Sequence, residues 1–136
     1  MTTVPVATLR LFAEECVSLV SAQFGRQLDW SVDSLGELDD VCAALLADGP
    51  LTEERMDLWW KVIGAYTGEV IVRAYGGQWG EHESALGAFA VLVNGITGFP
   101  FAVTEKVLSG ESFKSLASFG RSLPAIWSAS GGATGG

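Results

Sequence analysis

A mostly helical α+β fold is what this sequence predicts, as one domain over residues 1–127, and three observations predict it. Apolar residues recur at helical spacing in three successive segments before residue 76. The period changes at Gly76-Gly77, where QWGEHE and AFAVLVNG read as two strands. Helical spacing then returns after Pro100. About five helices around a small antiparallel hairpin or sheet, over residues ~78–98, is the expected architecture.

Taken in order, Leu9, Phe12, Ala13, Cys16, Val20 and Phe24 define a first helix over residues 5–24. Pro5 suits its first turn and Gly25 its end. A second helix runs from Ser31 or Ser34 to about Ala47, with Leu35, Leu38, Val41, Cys42 and Leu45 as its buried stripe. Ser34 and Glu37 have capping-box spacing, but either serine can be the cap. Asp48-Gly49-Pro50 breaks this helix.

The third helix is the most informative. Thr52 caps it, Glu53 and Glu54 occupy the first turn where the helix dipole favours negative charge, and Gly76-Gly77 stops it. At 100° per residue, Trp59, Trp60, Ile63, Gly64, Tyr66, Thr67, Val70, Ile71 and Ala74 share a sector of about 160°. Lys61, Glu69 and Arg73 take the other side, with Glu69 and Arg73 spaced as an exposed ion pair. Gly64 and Gly68 lie at one edge of the apolar sector. Each costs a helix roughly 1 kcal/mol relative to alanine, so the close approach of another backbone, from a helix or a strand, is expected there. Two strands joined through Ser84–Gly87 follow, with a third short strand near Ile96 and turns at Asn94-Gly95 and Thr97-Gly98. A helix from Pro100 to about Leu108 ends at Ser109-Gly110. A last helix, capped by Ser112, runs to Leu123 before Pro124. The tail at 128–136 has nothing apolar to bury and is expected to be disordered.

Charge carries the clearest functional hint. The 136 residues hold 16 acids and 8 bases, a net charge of −8. Residues 29–57 contain nine acids and Arg55 alone, so this segment carries a charge equal to that of the whole chain. Such a field disfavours nucleic acid and anionic membranes and favours a basic protein or a cation. The bland explanation is a solvated face that keeps the chain soluble. No apolar run reaches the ~18–20 residues of a membrane span. The N-terminus lacks the pattern of a secretion signal, which makes the cytoplasm the expected setting.

Candidates for chemistry are few. Cys16 and Cys42 fall in separate helical stripes and read as buried free thiols rather than metal ligands. His82, between Glu81 and Glu83, is the single histidine, so no zinc set can be completed and no metal or other cofactor is expected. The chain has no GxSxG, no P-loop, no dinucleotide fingerprint and no basic stripe with interleaved aromatics.

The run from Ile63 to Ile71, then Arg73, Gly76-Gly77 and Trp79, resembles small bacterial domains of unknown function in which a GAYLGE-type helix leads through GG-x-W into a strand. Phe99-Pro100-Phe101, Val107 and Gly110 resemble their downstream strand-to-helix segment, and the likeness covers about residues 28–123. Thr67 stands where a larger apolar residue is usual. The resemblance implies an α+β fold and no activity.

Two functions of different kinds follow. The first is a non-catalytic acidic protein-binding domain, in its sharpest form a bacterial immunity or antitoxin-like protein that neutralises a basic partner through Asp39, Asp40, Glu53 and Glu54. The alternative is a small enzyme or ligand-binding domain with a cleft at the helix–hairpin junction around Glu69, Arg73, Trp79 and His82. A homo-oligomer using aromatic surface is a third reading.

Overall fold

The computed structural model describes residues 6–81, 89–93, 95–111 and 114–127. Along them the chain forms α1 (Val6–Phe24), α2 (Ser34–Leu45), α3 (Glu53–Tyr75), β1 (Gln78–Glu81), β2 (Phe89–Val93), β3 (Ile96–Gly98), α4 (Pro100–Leu108) and α5 (Leu116–Trp127). The strands make one antiparallel sheet in the order β1-β2-β3, with Trp79 opposite Val91 and Leu92 opposite Thr97. This is the mostly helical α+β architecture expected, including the third strand at Ile96. Pro5, His82, the Ser84–Gly87 connection, Asn94, Ser112 and the 128–136 tail lie outside the described residues.

Turn chemistry fixes most boundaries. Gly25 adopts φ 66° and returns its N–H to Ser21 at the end of α1. Gly49 takes φ 113° in the break after α2. Thr52 Oγ1 accepts from the Arg55 N–H at the start of α3. At the other end of α3, Gly76 is left-handed, and the N–H groups of Gly76 and Gly77 both return to the Val72 carbonyl.

α3 is the centre of the molecule, but its surroundings differ from the expected two-sided helix. Every residue from Val62 to Ile71 is buried. The helix packs against α1, α4 and the sheet, and Phe24 of α1 meets the Trp59 ring edge-on. Leu58, Val62 and Ala65 lie at helical spacing in a narrow apolar stripe that leads to Glu69. Arg10 and Phe12 of α1 reach Glu69 and Lys61 across it.

The two helix glycines have a clear cause. A Cβ on Gly64 would lie 2.3 Å from the Phe101 ring, and one on Gly68 would lie 2.0 Å from the Trp79 ring. The close neighbours are therefore aromatic faces from α4 and β1 rather than another backbone. Trp60, Phe101 and Trp79 form a row along this edge, with ring centroids 5.2 and 6.3 Å apart. Burying Phe101 completely contributes about 2–3 kcal/mol, which offsets the weak helix propensity beneath it.

Two helix starts and one end depart from expectation. Ser34 lies inside α2 rather than forming a capping box with Glu37. Ser31 Oγ accepts the Ser34 N–H, while Ser34 Oγ is buried against Tyr66 Oη at 2.7 Å. α5 starts at Leu116, where Ser115 Oγ accepts from the Ser118 N–H. It then continues through Pro124 to Trp127. A proline has no N–H for the carbonyl four residues back, here that of Gly120. The Tyr75 hydroxyl donates to that carbonyl at 2.9 Å, so the interruption is made good from α3.

Candidate functional site

Glu69 is the most unusual side chain on α3. Its carboxylate is 4% exposed, and both oxygens are engaged. Oε2 accepts from the Trp79 indole N–H at 3.0 Å. Oε1 accepts from Arg73 Nε at 3.4 Å and faces Arg10 Nε at 3.5 Å. Burying a carboxylate costs several kcal/mol unless it is paired and hydrogen-bonded, and here three donors from α1, α3 and β1 converge on it. The expected exposed Glu69–Arg73 pair is thus corrected: the acid is buried and the arginine is not. The structure does bring Glu69, Arg73 and Trp79 together, while His82 lies outside the described residues. With its oxygens occupied, Glu69 ties three elements to one another.

Arg73 has a second contact. Its guanidinium stacks 3.9 Å from the Trp30 ring centroid, and Trp30 also packs on Tyr66. Trp30 is the one non-glycine described residue with positive φ, at 68°. Its backbone N–H donates to Tyr66 Oη at 2.9 Å, which holds the strained turn. Burial raises the Tyr66 hydroxyl above its ordinary pKa, against the lowering effect of Ser34 and Trp30. Thr67 Oγ1, also buried, has no hydrogen-bond partner among the described residues. The sequence marks Thr67 only as an odd residue in an apolar sector.

The acidic segment divides into two parts. In the first, the acids serve the fold. Asp29 accepts from the N–H and hydroxyl of Ser31, bonds that pull its carboxyl below the ordinary value. Asp33 faces Arg121 at 3.4 Å, and Arg26 bridges Glu37 and Asp40 at 3.0 and 3.1 Å. Asp39 accepts from the backbone N–H groups of Leu116 and Ala117, capping α5 from α2. Of the residues expected to bind a partner, Asp39 is therefore occupied inside the chain and Asp40 is paired at the surface.

The second part is different. Asp48, Glu53, Glu54 and Asp57 are exposed and form no ion pair with any described residue. Glu53 and Asp57 line a surface hollow with Met56, Trp60 and Glu105 of α4. Lys61, one turn beyond Asp57, extends instead over the Phe12 ring at 5.0 Å. Glu53 and Glu54 thus remain open to solvent as sequence reasoning placed them. Glu105 was missed because it lies far along the chain.

Cys16 and Cys42 are free thiols, both buried. Burial drives the Cys16 thiol well above its ordinary pKa and pushes Cys42 up to about 12. Among the described residues no group of three His, Cys, Asp or Glu side chains is placed to hold a metal ion. Nor is any described helix long and apolar enough to cross a membrane. Comparison of the chain with protein-family models, curated proteins and solved structures returns no match. We propose kinship with the GAYLGE-type bacterial domains on the sequence resemblance only, carried by α3, Gly-Gly-x-Trp and the Phe99–Gly110 segment.

Proposed function

We propose that this protein is a non-catalytic acidic binding domain that docks a basic protein through the start of α3. The sharpest form is a bacterial immunity or antitoxin-like protein acting in the cytoplasm. One observation carries the reading. Asp48, Glu53, Glu54 and Asp57 stand exposed and make no ion pair with any described residue, with Arg55 as the one base among them in sequence, whereas the acids of 29–40 are engaged by the fold. A local excess of like charge steers an oppositely charged partner and accelerates association by roughly 10–1,000-fold. The enzyme alternative draws less support, since Glu69 already spends its oxygens on Trp79, Arg73 and Arg10.

The test is affinity capture with the native lysate, followed by association kinetics at two salt concentrations. A basic protein is expected, with an on-rate that falls steeply with salt because exposed charges are screened over about 10 Å at 0.1 M. Glu53→Gln, Glu54→Gln and Asp57→Asn together should lower that rate, and Asp40→Asn should lower it less. An acidic or nucleic-acid partner, or a rate indifferent to all four changes, would overturn the reading.

A further inference from the structure

The hollow beside Glu53 and Asp57, 240 Å³ in volume, adjoins a second of 420 Å³ formed where the α2–α3 turn meets the end of α4. Met56 lines both. The larger hollow is walled by Leu46, Pro50, Leu51 and Leu108, so its floor is apolar. The smaller one is lined by Trp60 together with Glu53, Asp57 and Glu105. Trp60 donates its indole N–H to the Phe101 carbonyl at 2.9 Å and packs against the Phe101 ring. Its polar atom is thus satisfied inside, and what it offers to the hollow is a held carbon surface. Methionine is unbranched and adapts to the shape laid on it. A fixed aromatic beside an adaptable methionine is the arrangement of a binding hot spot.

We propose that this double hollow anchors an amphipathic segment of the basic partner. Apolar side chains of that segment fill the two hollows, and its Lys or Arg side chains meet Glu53, Asp57 and Glu105. The inference rests on the basic-partner reading above and adds what charge alone does not supply, a site where apolar surface is removed from water. Charge complementarity selects the occupant. A second copy docking through the same face would set acid against acid, because a two-fold contact pairs a surface patch with itself.

A helically patterned peptide of lysine and leucine serves as the probe, titrated calorimetrically. Two controls accompany it, one with every leucine replaced by serine and one with every lysine replaced by glutamate. The Lys/Leu peptide should bind at least tenfold more tightly than either control. Met56→Ser should weaken it about tenfold while leaving the weak binding of the Lys/Ser peptide unchanged. Asp57→Lys with Glu105→Lys, at exposed positions that leave the core intact, should weaken both lysine peptides. Equal binding of the Lys/Leu and Lys/Ser peptides would overturn the hollow as anchor and leave charge-driven docking standing. Binding of the Leu/Glu peptide as tight as that of the Lys/Leu peptide, or no binding by either lysine peptide, would overturn both.

Discussion

The Asp39 carboxylate on α2 accepts hydrogen bonds from the backbone N–H groups of Leu116 and Ala117, 2.7 and 3.0 Å away, and so caps a helix that begins 77 residues later. The first N–H groups of a helix have no partner within it, and a carboxylate there satisfies them and complements the helix dipole. In sequence Asp39 looks like a twin of Asp40, a surface acid in an acidic run. The fold gives the two different work.

Asp39→Ala should therefore destabilise the protein by about 1–2 kcal/mol, as the loss of a helix cap does. Asp40→Asn, which removes an exposed contact to Arg26, should cost well under 1 kcal/mol. Chemical denaturation of the two variants checks the contrast. Hydrogen exchange in Asp39→Ala should speed first in α5.

The same residue sets a pH dependence. Burial raises the Asp39 carboxyl above its ordinary value by more than the two N–H bonds lower it. A carboxyl whose folded-state pKa exceeds its unfolded value takes up a proton on folding, so it favours the folded state increasingly as pH falls toward about 4. Asp39→Asn removes this contribution. The stability of the wild type relative to Asp39→Asn should thus improve on acidification, measured by denaturation at a series of pH values.

Gly68→Ala tests the ring-on-backbone packing. Alanine gains about 1 kcal/mol in helix propensity, yet its Cβ falls 2.0 Å from Trp79, and overpacking of this kind costs about 1–3 kcal/mol. Net destabilisation is expected. In a Trp79→Leu background the added methyl meets a smaller neighbour, so the double variant should be more stable than the sum of the single effects predicts. Simple additivity in that cycle would show that Trp79 does not hold position 68.

Glu69→Ala should cost about 1–3 kcal/mol, because it leaves the half-buried Trp79 N–H without its acceptor. Glu69→Gln keeps an acceptor for that N–H and should cost less. If Glu69 instead serves a ligand site, the two substitutions would change stability alike and little. Thermal unfolding distinguishes these outcomes.

The thiols of Cys16 and Cys42 should resist a thiol reagent in the folded protein and react fully once it is unfolded. Both are held neutral by burial. A thiol whose pKa is raised on folding supports the folded state below its unfolded pKa and loses that support as pH climbs. Stability should accordingly fall from about pH 9 toward 12. Urea denaturation across that range reads the slope.

Local signals account for what the sequence revealed. Gly25, Gly49, Thr52 and Gly76 act on their nearest turns, and each stands in the role its chemistry assigns. The third strand at Ile96 was legible for the same reason, whereas the glycine pair on α3 signalled close packing without showing that the Phe101 and Trp79 rings supply it. What escaped reading depends on partners remote in the chain. Glu69 lies on the polar side of a helical wheel, and the packing of α1 and β1 around it, through Arg10 and Trp79, makes that side an interior. Leu58, Val62 and Ala65 were a usable signal, a second stripe at spacings of four and three. Pro124 looks like a stop because a sequence does not show Tyr75 waiting at the Gly120 carbonyl. Of the candidate site, the charge of Glu53 and Glu54 was visible, but the apolar lining of Met56 and Trp60 beside Glu105 required the fold.

Surfaces that bind tightly are commonly a burden on the unbound protein, since clustered like charges repel one another until the partner arrives. For the acids proposed to meet a partner at the start of α3, the helix offsets part of that repulsion. Glu53 and Glu54 sit in the first helical turn, where the unpaired N–H groups favour negative charge before any partner is present. On the proposed basic-partner reading, selection for stability and selection for recognition would act in the same direction at these positions. Neutralising them would weaken the free protein slightly, so the acidic character of this turn has a cause in the helix itself, independent of any partner.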